Sequence, residues 1–359
     1  MAPPDLAHRR LARQHLLHPV EVEPDEVVRR LGAVQAQDYG GARWGIGQRI
    51  PGMTDAAVER AYDAGTIIRT HVLRPTWHLV APADLRWLLA LTAPRVHAAN
   101  AYRYRQLELD PVTFRRSRAA LEKALEGGGE LTRAELGQVH ERAGIDTTAP
   151  QRLAYLLMHA ELDGVVCSGA RRGKQFTYAL VEERVPPAPA LERDEALLEL
   201  AKRYFATRGP ATPQDFSWWS GLTVADARRA IQAAGTALER EVIEGRTYWA
   251  AGAEPPARRT SPIAHLLPNY DEYFIGLRDR GAVLEVVRAT QSDAWAAALF
   301  AHVVVVDGQL VGGWKRVLKQ HAAVVELNLV ARLTKAEQAA VEAAIRRYAG
   351  FLELPVEMV

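Results

Sequence analysis

Gln35-Ala36-Gln37, followed by Asp38-Tyr39-Gly40-Gly41, sets two neutral amides one apolar residue apart. An amide is a poor general base, but it offers a donor and an acceptor together, so the pair can hold a water or read a base edge. The same triplet also suits an ordinary helix end, here of a helix that begins near Pro24. Asp38 is the better base and lies next in sequence. On a helix, however, neighbours point about 100° apart, so Asp38 would cap or pair instead. Asp271 and Glu272 add two carboxylates in the aromatic and acidic stretch Leu266 to Tyr273, and no spacing brings them to the amides. The basic residues that could meet phosphates are Arg171, Arg172 and Lys174, with Arg43, Arg69 and Arg74 as further candidates. His71 and His78 lack the Cys or carboxylate partners of a metal site, so no metal is expected. Gly40-Gly41 and Gly45-x-Gly47 lack a strand before them and do not make a phosphate loop. Cys167, in a Val-Val-Cys run, reads as a packed strand residue, and Trp218-Trp219 as core.

The elements that must position these groups repeat. In the first unit Leu6 to Leu17 and Asp25 to Val34 read as helices, and Thr54 caps a third over Asp55 to Ala64. Ile67 to Val72 and Trp77 to Val80 alternate as a hairpin, and a helix restarts at Pro82. The second unit has a helix over Phe114 to Glu126 and a capping box from Thr132 to Glu135. A longer helix capped by Thr147 or Thr148 follows, then a hairpin whose loop, Ser168 to Lys174, carries Arg171, Arg172 and Lys174. After the Pro-rich linker Val185 to Ala190 the order returns, with Asp194 to Ala206, a Thr212 cap, Thr223 to Ala233 and a hairpin around Glu244-Gly245-Arg246. There Asp215, three residues after Thr212, is a near miss for the box. Helix, short helix, helix, hairpin is the order of a winged helix, so the chain reads as a tandem duplication of that unit. The last third differs: Asp307-Gly308 suits a type I′ hairpin turn, Ala322 to Leu329 alternates as a strand, and Thr334 caps a closing helix through Tyr348. The expected fold is α+β. Its units are 1–110, carrying the Gln pair; 111–185, with the basic hairpin; 186–254; and a C-terminal α+β region at 255–359.

Bulk composition narrows the class. With 48% hydrophobic and 25% charged residues, the 359-residue chain is an ordinary globular protein. A formal charge of +2 requires a nucleic-acid binder of this composition to gather its basic residues on one face. One cysteine precludes an internal disulfide and fits a reducing, cytoplasmic setting. Met1 to Arg13 lacks the apolar segment of a signal peptide, and no long apolar run predicts a membrane span.

The chain resembles the AlkZ/YcaQ-type winged-helix DNA glycosylases of bacteria. The resemblance rests on Leu31 to Gln37, on Arg69 to Val80, on Glu161-Leu162-Asp163-Gly164 and on Leu266 to Tyr273. It implies tandem winged helices around a concave, duplex-sized surface. The family's catalytic signature is Gln, an apolar residue, then Gln or Asp, which here is Gln35, Ala36 and Gln37, the AlkZ-like form. The implied activity is monofunctional hydrolysis of the N-glycosidic bond of alkylated purines, with unhooking of interstrand crosslinks. It needs no cofactor, and a monomer would act on nucleoid DNA, in repair or in resistance to a self-made alkylating agent. The alternatives are a non-catalytic winged-helix regulator and a scaffold that kept the Gln pair for structural reasons.

Overall fold

The computed structural model describes residues 6–252, 261–289 and 302–358. After α1 (Leu6–Arg13), a helix, a short strand, two helices and a hairpin follow as α2 (Pro24–Leu31), β1 (Val34–Gln35), α3 (Tyr39–Gly47), α4 (Asp55–Asp63), β2 (Ile68–His71) and β3 (Trp77–Val80). A long connecting helix, α5 (Pro82–Gln106), leads to the same order in α6 (Pro111–Leu125), β4 (Leu131–Thr132), α7 (Arg133–Arg142), α8 (Arg152–Leu162), β5 (Val166–Ser168) and β6 (Thr177–Leu180). A single helical turn, α9 (Val181–Arg184), precedes α10 (Arg193–Arg208), α11 (Pro213–Ser220), α12 (Val224–Ala234), β7 (Leu238–Ile243) and β8 (Arg246–Ala251). Sheet order recurs with element order. The second hairpin strand lies in the middle, as β1-β3-β2 and β4-β6-β5. In the last copy a single bridge from Ala211 to Trp249 of β8 stands where the short strand lies in the others.

Local chemistry explains most boundaries. Thr132, Thr212 and Thr223 each close a capping box, with Glu135, Asp215 and Asp226 respectively. Asp215 is a methylene shorter than the usual Glu, yet its carboxylate accepts the Thr212 N–H at 2.9 Å, so the box expected to fall short closes. Four expectations are corrected. α1 stops at Arg13, because His15 takes φ 60° and turns Leu16 and Leu17 into the core. α2 stops at Leu31, because Gly32 takes φ 77°; the chain then extends, and the Gln pair is borne on and just after a strand. α8 begins at Arg152, since Thr148 bonds Asp146 instead of capping it. α3 was not expected at all, because glycines obscure its pattern. Gly47 is there for close approach: a Cβ would sit 2.4 Å from the Phe351 ring.

The C-terminal region is a five-stranded sheet of order β13-β12-β11-β10-β9. Its elements are β9 (Ala264–Leu267), α13 (Glu272–Ile275), α14 (Glu285–Ala289), β10 (His302–Val306), β11 (Gln309–Leu318), β12 (Ala323–Leu329), the helix Lys335–Leu352 and β13 (Val356–Met358). Asp307 and Gly308 take φ 46° and 85°, as a type I′ turn requires. Trp44 and Ile46 of α3 share one core with Leu266, Val304, Trp314 and Tyr348. Trp44 Nε1 also donates to the Leu266 carbonyl at 2.6 Å, so the helix that follows the Gln pair is bolted to this sheet. No helix among the described residues is long and apolar enough to cross a membrane.

His265, on β9, is fully enclosed, and its Nε2 finds no partner among the described residues. Burial, with Arg347 and Arg49 nearby, holds its pKa at about 3 against an ordinary 6.5. The unfolded chain takes the proton first, so this contribution to stability is whole above about pH 6.5 and is lost as pH falls toward 3. Urea unfolding between pH 7 and 5 should show a loss of up to about 1.4 kcal/mol per pH unit from this one group. His265→Leu should be shallower by that amount, and equal slopes would refute the assignment.

Candidate active site

The backbone of the Gln pair's strand is tied down by groups far off in sequence. The Gln35 N–H donates to Glu272 Oε1 at 2.8 Å. The Ala36 N–H donates to the Trp77 carbonyl at 2.7 Å, and its own carbonyl accepts from Arg69 Nε at 3.3 Å. The side chains continue the pattern. Gln35 is buried, and its Oε1 accepts from Arg74 Nη2 at 2.8 Å. Gln37 is exposed, and its Oε1 accepts the Trp77 N–H at 2.9 Å, replacing the next carbonyl of the ladder. Only an amide oxygen can accept, so these two donors fix which way each amide faces. Each Oε1 keeps a second lone pair, and neither Nε2 bonds another described residue.

Glu272 belongs to one of two fully buried ion pairs in this region. Arg208 meets Glu272 at 2.6 Å, with side chains 0% and 1% exposed. Trp219 Nε1 donates to the same carboxylate at 2.9 Å. Arg208 also donates to the carbonyls of Leu31 at 2.8 Å and Ala33 at 3.3 Å, the end of α2 and the approach to the Gln pair. Arg49 grips Asp271 with both Nη atoms at 2.9 Å and reaches the Gln14 side chain and carbonyl. Buried charges are tolerable only when paired and hydrogen-bonded; both pairs are closed, and only Arg208 Nε of the two guanidiniums lacks a partner among the described residues.

The other carboxylates and histidines are equally committed. Asp38 caps α3 through the Gly41 N–H at 3.0 Å and takes Arg316 Nη2 on both oxygens at 3.1 Å. Both of its oxygens are thus engaged, by a backbone N–H and a guanidinium. Glu272, which no spacing connected to the amides, meets the Gln35 N–H, whereas Asp271 is bound by Arg49 beside α3. His71 pairs with Glu161 in the interior. His78, in register with Gln35, bonds the Thr76 carbonyl through Nδ1, and burial pushes its pKa well below the ordinary value. Burial pushes the Cys167 thiol up to about 12, which rules it out as a nucleophile. Trp219 is core as expected, but Trp218 is 45% exposed.

The basic residues are dispersed in role. Arg43 pairs with Asp55 at 3.2 Å and Glu59 at 2.7 Å. Arg171 reaches the same Glu59 at 3.1 Å. Arg172 is exposed and pairs with Glu135 at 2.7 Å, while Lys174 is exposed with no ion pair among the described residues. Arg69 is buried between the Trp77 and Phe176 rings, 4.2 and 4.4 Å from their centroids. Arg74 is half-buried, and it also donates to the Trp218 carbonyl at 3.3 Å. Desolvation lowers the pKa of Arg74, and the Glu272 charge opposes that shift. Arg208 and Arg49 went unnoticed as site residues, and Glu272 was named only as a carboxylate with no link to the amides; no local pattern marks these partnerships.

A sequence family described as DNA glycosylase AlkZ-like matches residues 28–351. The chain belongs to the AlkZ-like DNA glycosylase family. An interstrand DNA cross-link repair glycosylase of Streptomyces sahachiroi is 27% identical, over 98% of this chain and 97% of that protein. The solved structure of the Streptomyces sahachiroi DNA glycosylase AlkZ matches with a TM-score of 0.78 at 25% identity, over 99% of this chain and 98% of the other. The resemblance seen in the sequence is therefore a family membership, and the mixed helix-and-sheet architecture is shared with an AlkZ structure. A DNA glycosylase is an enzyme, which sets aside the regulator reading.

Glu272→Leu leaves Arg208 charged and unpaired inside this AlkZ-like protein, and should lower stability by about 3–5 kcal/mol in urea unfolding. Adding Arg208→Met should recover a large part of that loss. A single variant as stable as wild type would show that the pair does not carry the strand.

Proposed function

We propose that this AlkZ-like glycosylase hydrolyses the N-glycosidic bond of cationic, N7- or N3-alkylated purines in duplex DNA, including purines held in interstrand crosslinks. The observation that carries the reading is the pinned pair of neutral amides with an exposed outer member. An alkylated purine already bears positive charge and leaves as a neutral base, so little acid catalysis is required. The sugar then develops oxocarbenium character, as in other glycosidic cleavage. What remains is to place a water at the anomeric carbon and to favour the developing charge. Gln37 Oε1, with one lone pair on the Trp77 N–H, turns the other to that water. Gln35, held by Arg74, keeps its own amide dipole beside it. Water adds its oxygen to the anomeric carbon, the bond to the base breaks, and the water's proton passes to solvent.

The three helix-and-hairpin copies are the DNA-gripping frame in this reading, as winged-helix units at 1–110, 111–185 and 186–254, with the C-terminal region at 255–359 closing the site. Such units lay a helix in a groove and touch backbone with the hairpin. Lys174 and Arg172, exposed on the β5–β6 loop, serve the phosphates, Arg172 by exchanging Glu135 for one. Arg43 and Arg171 serve them only by giving up Glu59. Arg69 and Arg74 act instead through the Gln pair. An exposed Gln37 suits a crosslinked base, which cannot be swung into a closed pocket. The enzyme acts as a monomer.

Base release from a duplex carrying one N7-methylguanine, scored by alkaline cleavage, tests the reading. Wild type should release the base, and Gln37→Ala should be slower by about 10²- to 10³-fold, the cost of losing one positioned polar group. Duplex binding should be unchanged in the variant. Full activity in Gln37→Ala would remove that residue's role. No release by wild type from either this duplex or a crosslinked one would overturn the proposal.

A further inference from the structure

α5 and α8 meet at a cluster that the Gln pair does not use. His97 lies on α5. His159 lies on the last turn of α8, and Asp163 caps its C-terminal end. Four residues apart, the last two share one helix face. His97 Nε2 is 3.0 Å from Asp163 Oδ1, and His159 Nδ1 is 3.3 Å from Asp163 Oδ2. One ligand atom from each of the three lies within 4.8 Å of the others. A tetrahedral ion bound to nitrogen and oxygen at 2.0–2.2 Å requires ligand atoms about 3.3–3.6 Å apart, and each imidazole already approaches one oxygen of the same carboxylate at a comparable distance.

Two further contacts orient the rings. Tyr104 Oη sits 3.1 Å from His97 Nδ1, which leaves Nε2 facing Asp163. Metal-binding imidazoles are held in this way, by a partner on the other nitrogen. The His159 ring is stacked on Phe114, with centroids 3.6 Å apart and planes 17° from parallel. Side-chain exposures of 25%, 19% and 38% for His97, His159 and Asp163 leave one side open to water. Two imidazoles and one carboxylate, with a solvent position left over, suit a borderline ion. Calcium and magnesium favour oxygen alone.

We propose that His97, His159 and Asp163 bind one zinc ion, with water in the fourth position, and that the ion braces α5 against α8. α8 also carries Glu161, which pairs with His71 of β2, so the brace stiffens the hairpin whose Trp77 N–H holds Gln37.

The test uses full-length protein without a histidine tag, stripped with a chelator and dialysed. Zinc chloride alone is titrated calorimetrically and against a chromophoric competitor. Wild type should bind one equivalent and melt at a higher temperature when saturated. His97→Ala and His159→Ala, checked by circular dichroism, should each lose at least 100-fold in affinity. Tyr104→Phe keeps the ring and removes only the hydroxyl, so it should weaken binding about 10- to 100-fold even if the alanine variants fold poorly. Cobalt(II) in place of zinc should give the intense visible bands of a four-coordinate ion. No binding by wild type, or binding of equal strength in all three variants, would overturn the proposal.

Discussion

The placement of the Gln pair depends on the buried contact between Arg208 and Glu272. One guanidinium gathers the carbonyls at the end of α2, and one carboxylate gathers the Gln35 N–H and the Trp219 indole. Remove either charge and the rest of the set loses its geometry together, because each member satisfies another. The pair joins α10 of the last helix-and-hairpin copy, α13 of the C-terminal region and β1 of the first copy. In the role proposed for the pair, a displacement of an ångström can lose about two orders of magnitude in rate. Holding a short strand from below, by groups sealed off from water, is a physical answer to that sensitivity.

Around this anchor the charge arrangement is one-sided. Asp38, Asp271 and Glu272 all lie near the Gln pair in sequence or in space, and each is held by an arginine, Arg316, Arg49 or Arg208. The surface member of the pair is left neutral. In the proposed reaction this has a selective effect. An undamaged purine leaves readily only when an acid protonates it, and these three carboxylates are already engaged by arginines. A base that is cationic before it arrives meets no such requirement. Discrimination then resides partly in what the site withholds.

Much of the scaffold could be read from local chemistry. Thr132, Thr223 and Thr334 announce helix starts with their own box partners, and Asp307-Gly308 announces its turn. These signals act over three or four residues, so one sequence suffices to see them. The failures share a cause. α3 is glycine-bearing because Phe351, three hundred residues away, packs against Gly47. The Gln pair was placed at a helix end because nothing local revealed its pairing with β3. Arg43 and Arg171 looked like free cations, yet both meet Glu59, the latter across 112 positions. Family resemblance drew the eye to the amides but said nothing of what lies beneath them.

Glu272 lies 237 positions after Gln35. A ribosome adding about 5–20 residues per second takes about ten to fifty seconds to cover that interval. Throughout it the growing chain has helices and hairpins able to form near their own sequence, but the Gln pair has no floor. A fragment released early, or clipped before the C-terminal sheet, therefore lacks the carboxylate that seats Gln35. With the Gln pair in the role proposed for it, the enzyme would thus be held inactive until its last third has docked, by the order of its own synthesis.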